Sequence, residues 1–241
     1  MAGLGNCSDG DGVKNRLFPR LVLCGGLVAP YGVHAAAPDL APVRQWIERA
    51  SQVKSLSVDF VQERYLKSVT RPLITPGRMY FKAPGSLRWQ LGEPPKLIAL
   101  QEERGGEFFL LEPREKKGQR FAGGSAGDAG RQSPARAILE ASFPTTLEAF
   151  QERCRVTAVN HRDGSVIVEA RLNDRRLSVA VMAIRFVIEE ETSMLQRFEI
   201  DFRDASRIVT KFVRVEPNAK VPAEAFRESL EGYAIETVVD R

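Results

Sequence analysis

Apolar and polar positions alternate through most of this chain. Leu56, Val58 and Phe60 take every second place within residues 56–67, and Met79 and Phe81 do so within 77–82. Within 87–91, Leu87, Trp89 and Leu91 alternate with Arg88 and Gln90. A period of two sends successive side chains to opposite faces of a strand, so each stretch predicts a strand with one apolar and one wet face. Residues 96–101 are nearly all apolar, and 107–112 hold Phe108, Phe109, Leu110 and Leu111. Breaks rich in Pro and Gly (Pro76-Gly77, Pro84-Gly85, Pro94-Pro95, Gly105-Gly106) separate these runs. They predict a meander of short antiparallel strands.

The period changes twice. Val43, Trp46, Ile47, Ala50 and Val53 recur at helical spacing within 39–55, and Pro42 suits a first turn, so an opening helix is predicted. After the Gly-rich stretch 122–132, residues 134–141 and 145–153 predict two short helices. The first shows Ile138 and Leu139, the second Leu147 and Phe150. Period two resumes over 154–160, 165–172, 177–189, 195–203 and 206–215, with Phe198, Ile200 and Phe202 alternating with Glu199 and Asp201. Asp163-Gly164 between two of these runs is a hairpin signal.

This order predicts a mainly β, α+β chain: one large antiparallel sheet with helices on one side. Such a sheet can leave one face in water, but the other has to be covered. With so few helices, part of the apolar face is closed over by the middle segment alone. A surface of that kind suits an acyl chain; an ordinary closed core is the plain alternative.

The 241 residues have room for one large β domain or two small ones, and 43% apolar content suffices for a packed core. A formal net charge of +4 adds little, because basic and acidic residues are interleaved, as in Glu152, Arg153, Arg155, Arg162 and Asp163. No basic block stands out along the sequence, which argues against nucleic acid as a partner, since that usually needs a clustered basic face.

Residues 1–37 have the layout of an export signal. Lys14, Arg16 and Arg20 precede an apolar run from Leu21 to Val33, and His34-Ala35-Ala36-Ala37 supplies small residues for cleavage before Pro38. The run is too short and broken for a spanning helix. The expected mature chain is 38–241, a single exported domain. Of three cysteines, Cys7 and Cys24 leave with the signal and Cys154 remains alone. Leu23 before Cys24 argues against lipid attachment there.

Catalytic equipment is sparse. His34 falls in the signal, and His161 lies beside the Asp163-Gly164 turn, where a surface role is expected. No His-x-x-x-His or Cys-x-x-Cys pair exists, so no metal is expected, and the Gly-rich stretch lacks the ending of a phosphate loop. Glu189, Glu190 and Glu191 stand together as a solvated turn. These residue types point away from an enzyme and from any cofactor.

Along GRMYFKAPGSLRWQL, PPKLIAL and EFFLLEP the chain resembles the periplasmic outer-membrane lipoprotein carrier family, LolA. Gly77, Met79, Phe81, Pro84, Leu87, Arg88 and Trp89 fall on that family's pattern, as do Leu110, Leu111, Glu112 and Pro113. Upstream, Phe60 and Gln62 match its Phe-x-Gln strand; downstream, FVRVEPNAKVPAEAF resembles its closing stretch. The resemblance implies an incomplete, strongly curved antiparallel barrel with a helical lid. It also implies a monomer that takes acylated lipoprotein or lipid cargo from an inner-membrane exporter to an outer-membrane receptor. Met79, Phe81, Leu87, Trp89, Leu91, Phe198, Ile200 and Phe202 then become candidate cavity lining, and Ile138, Leu139, Leu147 and Phe150 candidate lid residues. The chain departs from the pattern at Ala83, where the family carries the arginine that holds its lid, so this lid is held differently or the cargo differs. An envelope sensor of the same curved-sheet fold is the alternative.

Overall fold

The computed structural model describes residues 37–103, 105–123 and 143–238. Helix α1 (Ala41–Ser51) comes first, then strands β1 (Ser55–Tyr65), β2 (Leu73–Lys82), β3 (Ser86–Leu91), β4 (Leu97–Gln101), β5 (Phe108–Glu112) and β6 (Lys117–Phe121). Helix α2 (Leu147–Arg153), β7 (Cys154–Arg162), β8 (Ser165–Leu172) and the one-turn helix α3 (Arg175–Ser178) follow. The chain continues through β9 (Val181–Glu189), β10 (Leu195–Phe202), β11 (Arg207–Pro217), a 3-10 turn (Ala223–Phe226) and β12 (Ala234–Val238).

All twelve strands form one sheet in the order β12-β6-β5-β4-β3-β2-β1-β11-β10-β9-β8-β7. Among the described residues every pairing is antiparallel except β12 with β6, and no further strand pairs with β12 or β7, so the barrel is incomplete. Asp163 and Gly164 both take positive φ, 51° and 71°, the geometry that a tight β7–β8 turn requires. The expected helix at 145–153 is α2, whose cap Thr146 accepts from the Ala149 amide at 3.1 Å. The expected helix at 134–141, with Ile138 and Leu139, lies outside the described residues. So does the expected export signal apart from Ala37.

Register sorts the side chains into two layers. Phe60 faces Gly77 and Phe212, Met79 faces Trp89, and Phe198 faces Thr210 and Phe186, all on one face. Trp89 on β3 and Phe198 on β10 are four strand steps apart, about 19 Å in a flat sheet at about 4.8 Å per step. Their ring centroids lie 6.0 Å apart. Two side chains cannot span that gap unless the sheet curls, so this face is the inside of a strongly curved sheet. Val43, Trp46 and Ile47 of α1 are buried against it, with Phe150 of α2.

A second apolar layer lies outside. Ile98, Leu100 and Leu111 are buried on the outer face of β4 and β5, packed with Phe109, Tyr233 and Ile235. The near-continuous apolar run at 96–101 is explained by burial on both faces.

Candidate functional site

The curved inner face is built from alternate residues of almost every strand, and its middle is a row of aromatic rings. Phe60 stacks on Trp89 at 4.0 Å, Trp89 meets Phe198 at 6.0 Å, and Phe198 meets Phe212 at 6.2 Å. Phe143 stacks on Phe212 at 6.2 Å. On the helix side, Trp46 touches Phe186 at 5.3 Å and Phe150 at 6.0 Å. Offset and edge-on pairs of this kind add about 0.5–1.5 kcal/mol each beyond their buried area.

The eight residues expected to line a cavity all lie on this face. Met79, Trp89, Phe198 and Ile200 are buried in its cluster, and Leu87, Leu91 and Phe202 pack against it half-buried. Phe81, also half-buried, is placed on this face by its pairing with Leu56 and Leu87. Leu147 and Phe150, expected in a lid, pack on the same cluster.

Charge is held on the outer face of the same strands. Arg185 pairs with Glu199 at 3.0 Å and with Asp201 at 2.6 Å, and Arg207 pairs with Asp201 at 2.6 Å. Burial alone would raise the Asp201 carboxyl, but the hydrogen bonds from Arg185 and Arg207 outweigh it and hold it below its ordinary range. Arg88 also lies outside: it pairs with Glu228 at 2.8 Å and donates to the Arg227 carbonyl at 3.2 Å. It therefore pins the C-terminal segment rather than a helix on the inner face.

Where the inner row reaches the end of α1, a groove of about 560 Å³ opens. Val53, Met194, Leu195, Phe212 and Val215 supply its apolar walls, and Arg49, Gln52 and Glu189 stand at its rim. Its volume falls in the range of small-ligand sites, roughly 300–1,000 Å³. The alternation pattern did not single out Phe212, Val215 or Leu195, and the reason is local. Arg214 pairs with Asp59 and Phe212 with Phe60, so Val213 is an extra, bulged residue. Strict alternation would turn Val215 outward; the bulge turns it into the groove and leaves Val213 69% exposed.

Reactive side chains are poorly placed for chemistry. Cys154 is buried, and burial pushes its thiol up to about 12, so the nucleophilic thiolate is scarce at neutral pH. His161 sits at the surface with its Nδ1 2.9 Å from Glu190 Oε1. Among the described residues, no group of three His, Cys, Asp or Glu side chains is placed to hold a metal ion, and no helix is long and apolar enough to cross a membrane.

Residues 51–121, from the end of α1 through β6, match the family described as outer membrane lipoprotein carrier protein LolA. Over those residues the chain resembles LolA. Several solved structures are similar to it at low identity. A DUF1329 family protein from Desulfovibrio piger is 11% identical with a TM-score of 0.47, over 80% of this chain and 98% of its own. A LolA superfamily protein from Nitrosomonas europaea is 8% identical with a TM-score of 0.42, over 76% and 96%. A putative outer membrane lipoprotein-sorting protein domain from Vibrio parahaemolyticus is 8% identical with a TM-score of 0.45, over 78% and 95%. No curated protein sequence matches the chain. The LolA-like segment carries Phe60 and Trp89 of the aromatic row; Phe198 and Phe212 lie beyond it.

Proposed function

We propose that this chain is an exported, periplasmic carrier rather than an enzyme, and that it shields the acyl chains of a lipoprotein or another acylated cargo on its curved inner face. One observation carries the reading: the open groove and the buried aromatic row are continuous, because Phe212 belongs to both. An acyl chain laid in the groove meets Val53, Leu195 and Val215, and further entry requires only that apolar rings slide past one another. No ion pair has to break, since the inner face carries its charge at the rim. Each methylene moved from water contributes about 0.8 kcal/mol, so a modest length of chain suffices for binding. Displacing the row's own ring contacts offsets part of that gain, which keeps release possible.

In this reading Met79, Phe81, Leu87, Trp89, Leu91, Phe198, Ile200 and Phe202 line the enlarged cavity, and α2 with Leu147 and Phe150 acts as part of its cover. The protein works as a monomer between an inner-membrane exporter and an outer-membrane receptor. With Ala83 at the usual arginine position and Arg88 engaged outside, the cover is held by ring packing through Trp46, Phe150 and Phe186 and, at the end of α2, by the Asn173 side-chain amide donating to the Gln151 and Glu152 carbonyls.

Native mass spectrometry of protein purified from the periplasm, followed by lipid extraction, tests this. The expected result is acyl-bearing cargo bound one to one, and weaker uptake of a fatty-acid probe by Leu195→Glu. Protein that arrives empty and takes up neither lipoprotein nor probe would overturn it.

A further inference from the structure

Eight large apolar side chains stand exposed among the described residues, and six of them gather at one end of the sheet: Tyr65, Val69, Leu73, Ile74, Val179 and Met182. The first four belong to the β1–β2 hairpin, Val179 to the connection into β9 and Met182 to the start of β9. Both segments are cationic. Residues 64–74 contain Arg64, Lys67 and Arg71, residues 175–182 contain Arg175 and Arg176, and neither contains a carboxylate.

These segments border the same turn. Tyr65 pairs with Arg207 across β1 and β11, at the start of β11. Arg203, just before that turn, donates its amide to the Ala180 carbonyl at 2.9 Å and its Nε to the Ser178 carbonyl at 2.8 Å. That turn carries one carboxylate, Asp204; the turns of the opposite end present none of the eight exposed side chains and carry Glu102, Glu103, Glu107, Glu190 and Glu191 beside Lys82 and Arg162.

The hairpin's form narrows the partner. Beyond Pro76, whose carbonyl accepts from the Gly92 amide at 2.8 Å, β2 has no residue of the β3 side beside it, so residues 73–75 extend past β3 while β1 stays paired with β11 as far as Tyr65. Leu73 faces Arg64 on the inner side, whereas Ile74 faces Glu63 on the outer side, and they are 53% and 64% exposed. A docking site for a folded protein gathers its apolar groups on one side. Apolar groups on both sides of a tip, ringed by cations, suit immersion in a surrounding medium.

We infer that this end of the molecule docks on the surface of an anionic phospholipid membrane, with Val69, Leu73 and Ile74 entering the headgroup boundary and Lys67 and Arg71 meeting lipid phosphates. The inference does not depend on cargo binding: a chain with an inert core would dock equally well.

Cosedimentation of the full chain with vesicles tests it. Vesicles of phosphatidylglycerol mixed with phosphatidylcholine should bind the protein, vesicles of phosphatidylcholine alone far less, and added salt should weaken the binding. Lys67→Gln with Arg71→Gln should reduce partitioning about 25-fold, at on the order of fivefold per cation. Val69→Ser with Ile74→Ser should reduce it on the order of tenfold. All four positions are exposed, so the thermal midpoint should not move, and uptake of a monomeric fatty-acid probe should also be unchanged. That second readout separates failure here from failure of the carrier reading. Absence of binding, equal binding to both vesicles, or binding untouched by both double variants would overturn the inference. So would tip variants that abolish capture of a protein partner while vesicle binding is missing.

Discussion

Strands β4 and β5 carry an apolar layer on each face, and the two layers are closed in different ways. Outside, Ile98, Leu100 and Leu111 lie under Tyr233 and Ile235, and β12 is hydrogen-bonded to β6 as a parallel strand. Arg88 fastens the same segment through Glu228 and the Arg227 carbonyl. Inside, the sheet curls until rings from β3, β1, β10 and β11 touch, and two helices press on them through ring contacts. The outer cover is the chain itself, held by backbone pairing and an ion pair. Apart from the Asn173 hydrogen bonds at the end of α2, the inner cover is apolar packing, which is non-directional and can re-form around a guest. Burial alone does not mark a binding face; the kind of cover does.

Truncating the inner row should produce the largest change. Phe60 is 1% exposed and stacked on Trp89. Phe60→Ala should cost about 3–5 kcal/mol in urea unfolding, against about 2–5 for Leu111→Ala in the outer layer. The sharper difference lies in ligand uptake: the space left by Phe60→Ala should raise affinity for a fatty-acid probe, and Leu111→Ala should not. Equal uptake by both variants would erase the distinction between the two covers.

Overpacking gives a matched pair of smaller effects. A Cβ on Gly77 would stand 2.2 Å from Phe60 Cζ and 2.8 Å from the Gln90 carbonyl oxygen. A Cβ on Gly118 would stand 2.6 Å from Leu111 Cδ2 and 2.8 Å from Ile235 Cδ1, both ends of flexible side chains. Gly77→Ala should therefore cost near the upper part of about 1–3 kcal/mol, and Gly118→Ala near the lower part. Hydrogen exchange should show Gly118→Ala loosening residues 234–238, while Gly77→Ala leaves them protected.

Most strands were legible because their alternation survives intact: Leu87, Trp89 and Leu91 lie inside as period two requires. The parts that escaped lack that signal. Strand β6 contains a single large apolar residue, Phe121, and exists by pairing Phe121 with Phe108 and Gly118 with Leu111. The predicted strand from 177 begins instead as helix α3, because Asp174 caps it by accepting from the Arg176 and Leu177 amides. Strand β12 joins in parallel from far along the chain, which local pattern does not encode. The groove was hidden by the bulge at Val213, which reverses the face of Val215. The cluster of inner residues was visible, but its closure by curvature depends on contacts between β3 and β10 that no local window contains.

Arg88→Ala should have a moderate effect confined to the outer cover. The pair with Glu228 is partly shielded, at 12% and 26% side-chain exposure, and Glu228 can rehydrate, so about 1–2 kcal/mol is expected. Exchange at 226–238 should quicken while the protection of β8 and β9 holds. Global loosening would mean that Arg88 also supports the inner face.

The smallest expected effect belongs to a third kind of cover, the charge ladder over the outside of β9, β10 and β11. Asp201 is held below its ordinary value of 3.8, because the hydrogen bonds from Arg185 and Arg207 overcome the opposing effect of burial. A depressed carboxyl stabilises the fold above its unfolded value, and that stability is lost as pH falls toward its folded value. Unfolding free energy should therefore decline below about pH 4, and Asp201→Asn should start lower and show a shallower decline over the same range. Arg185 keeps Glu199 as a partner in that variant, so the loss at neutral pH should stay below that of Arg88→Ala. An acid limb unchanged by Asp201→Asn would place the acid sensitivity elsewhere, with Glu63, whose carboxyl is lowered by hydrogen bonds from Lys211 and Tyr65, the next group to test.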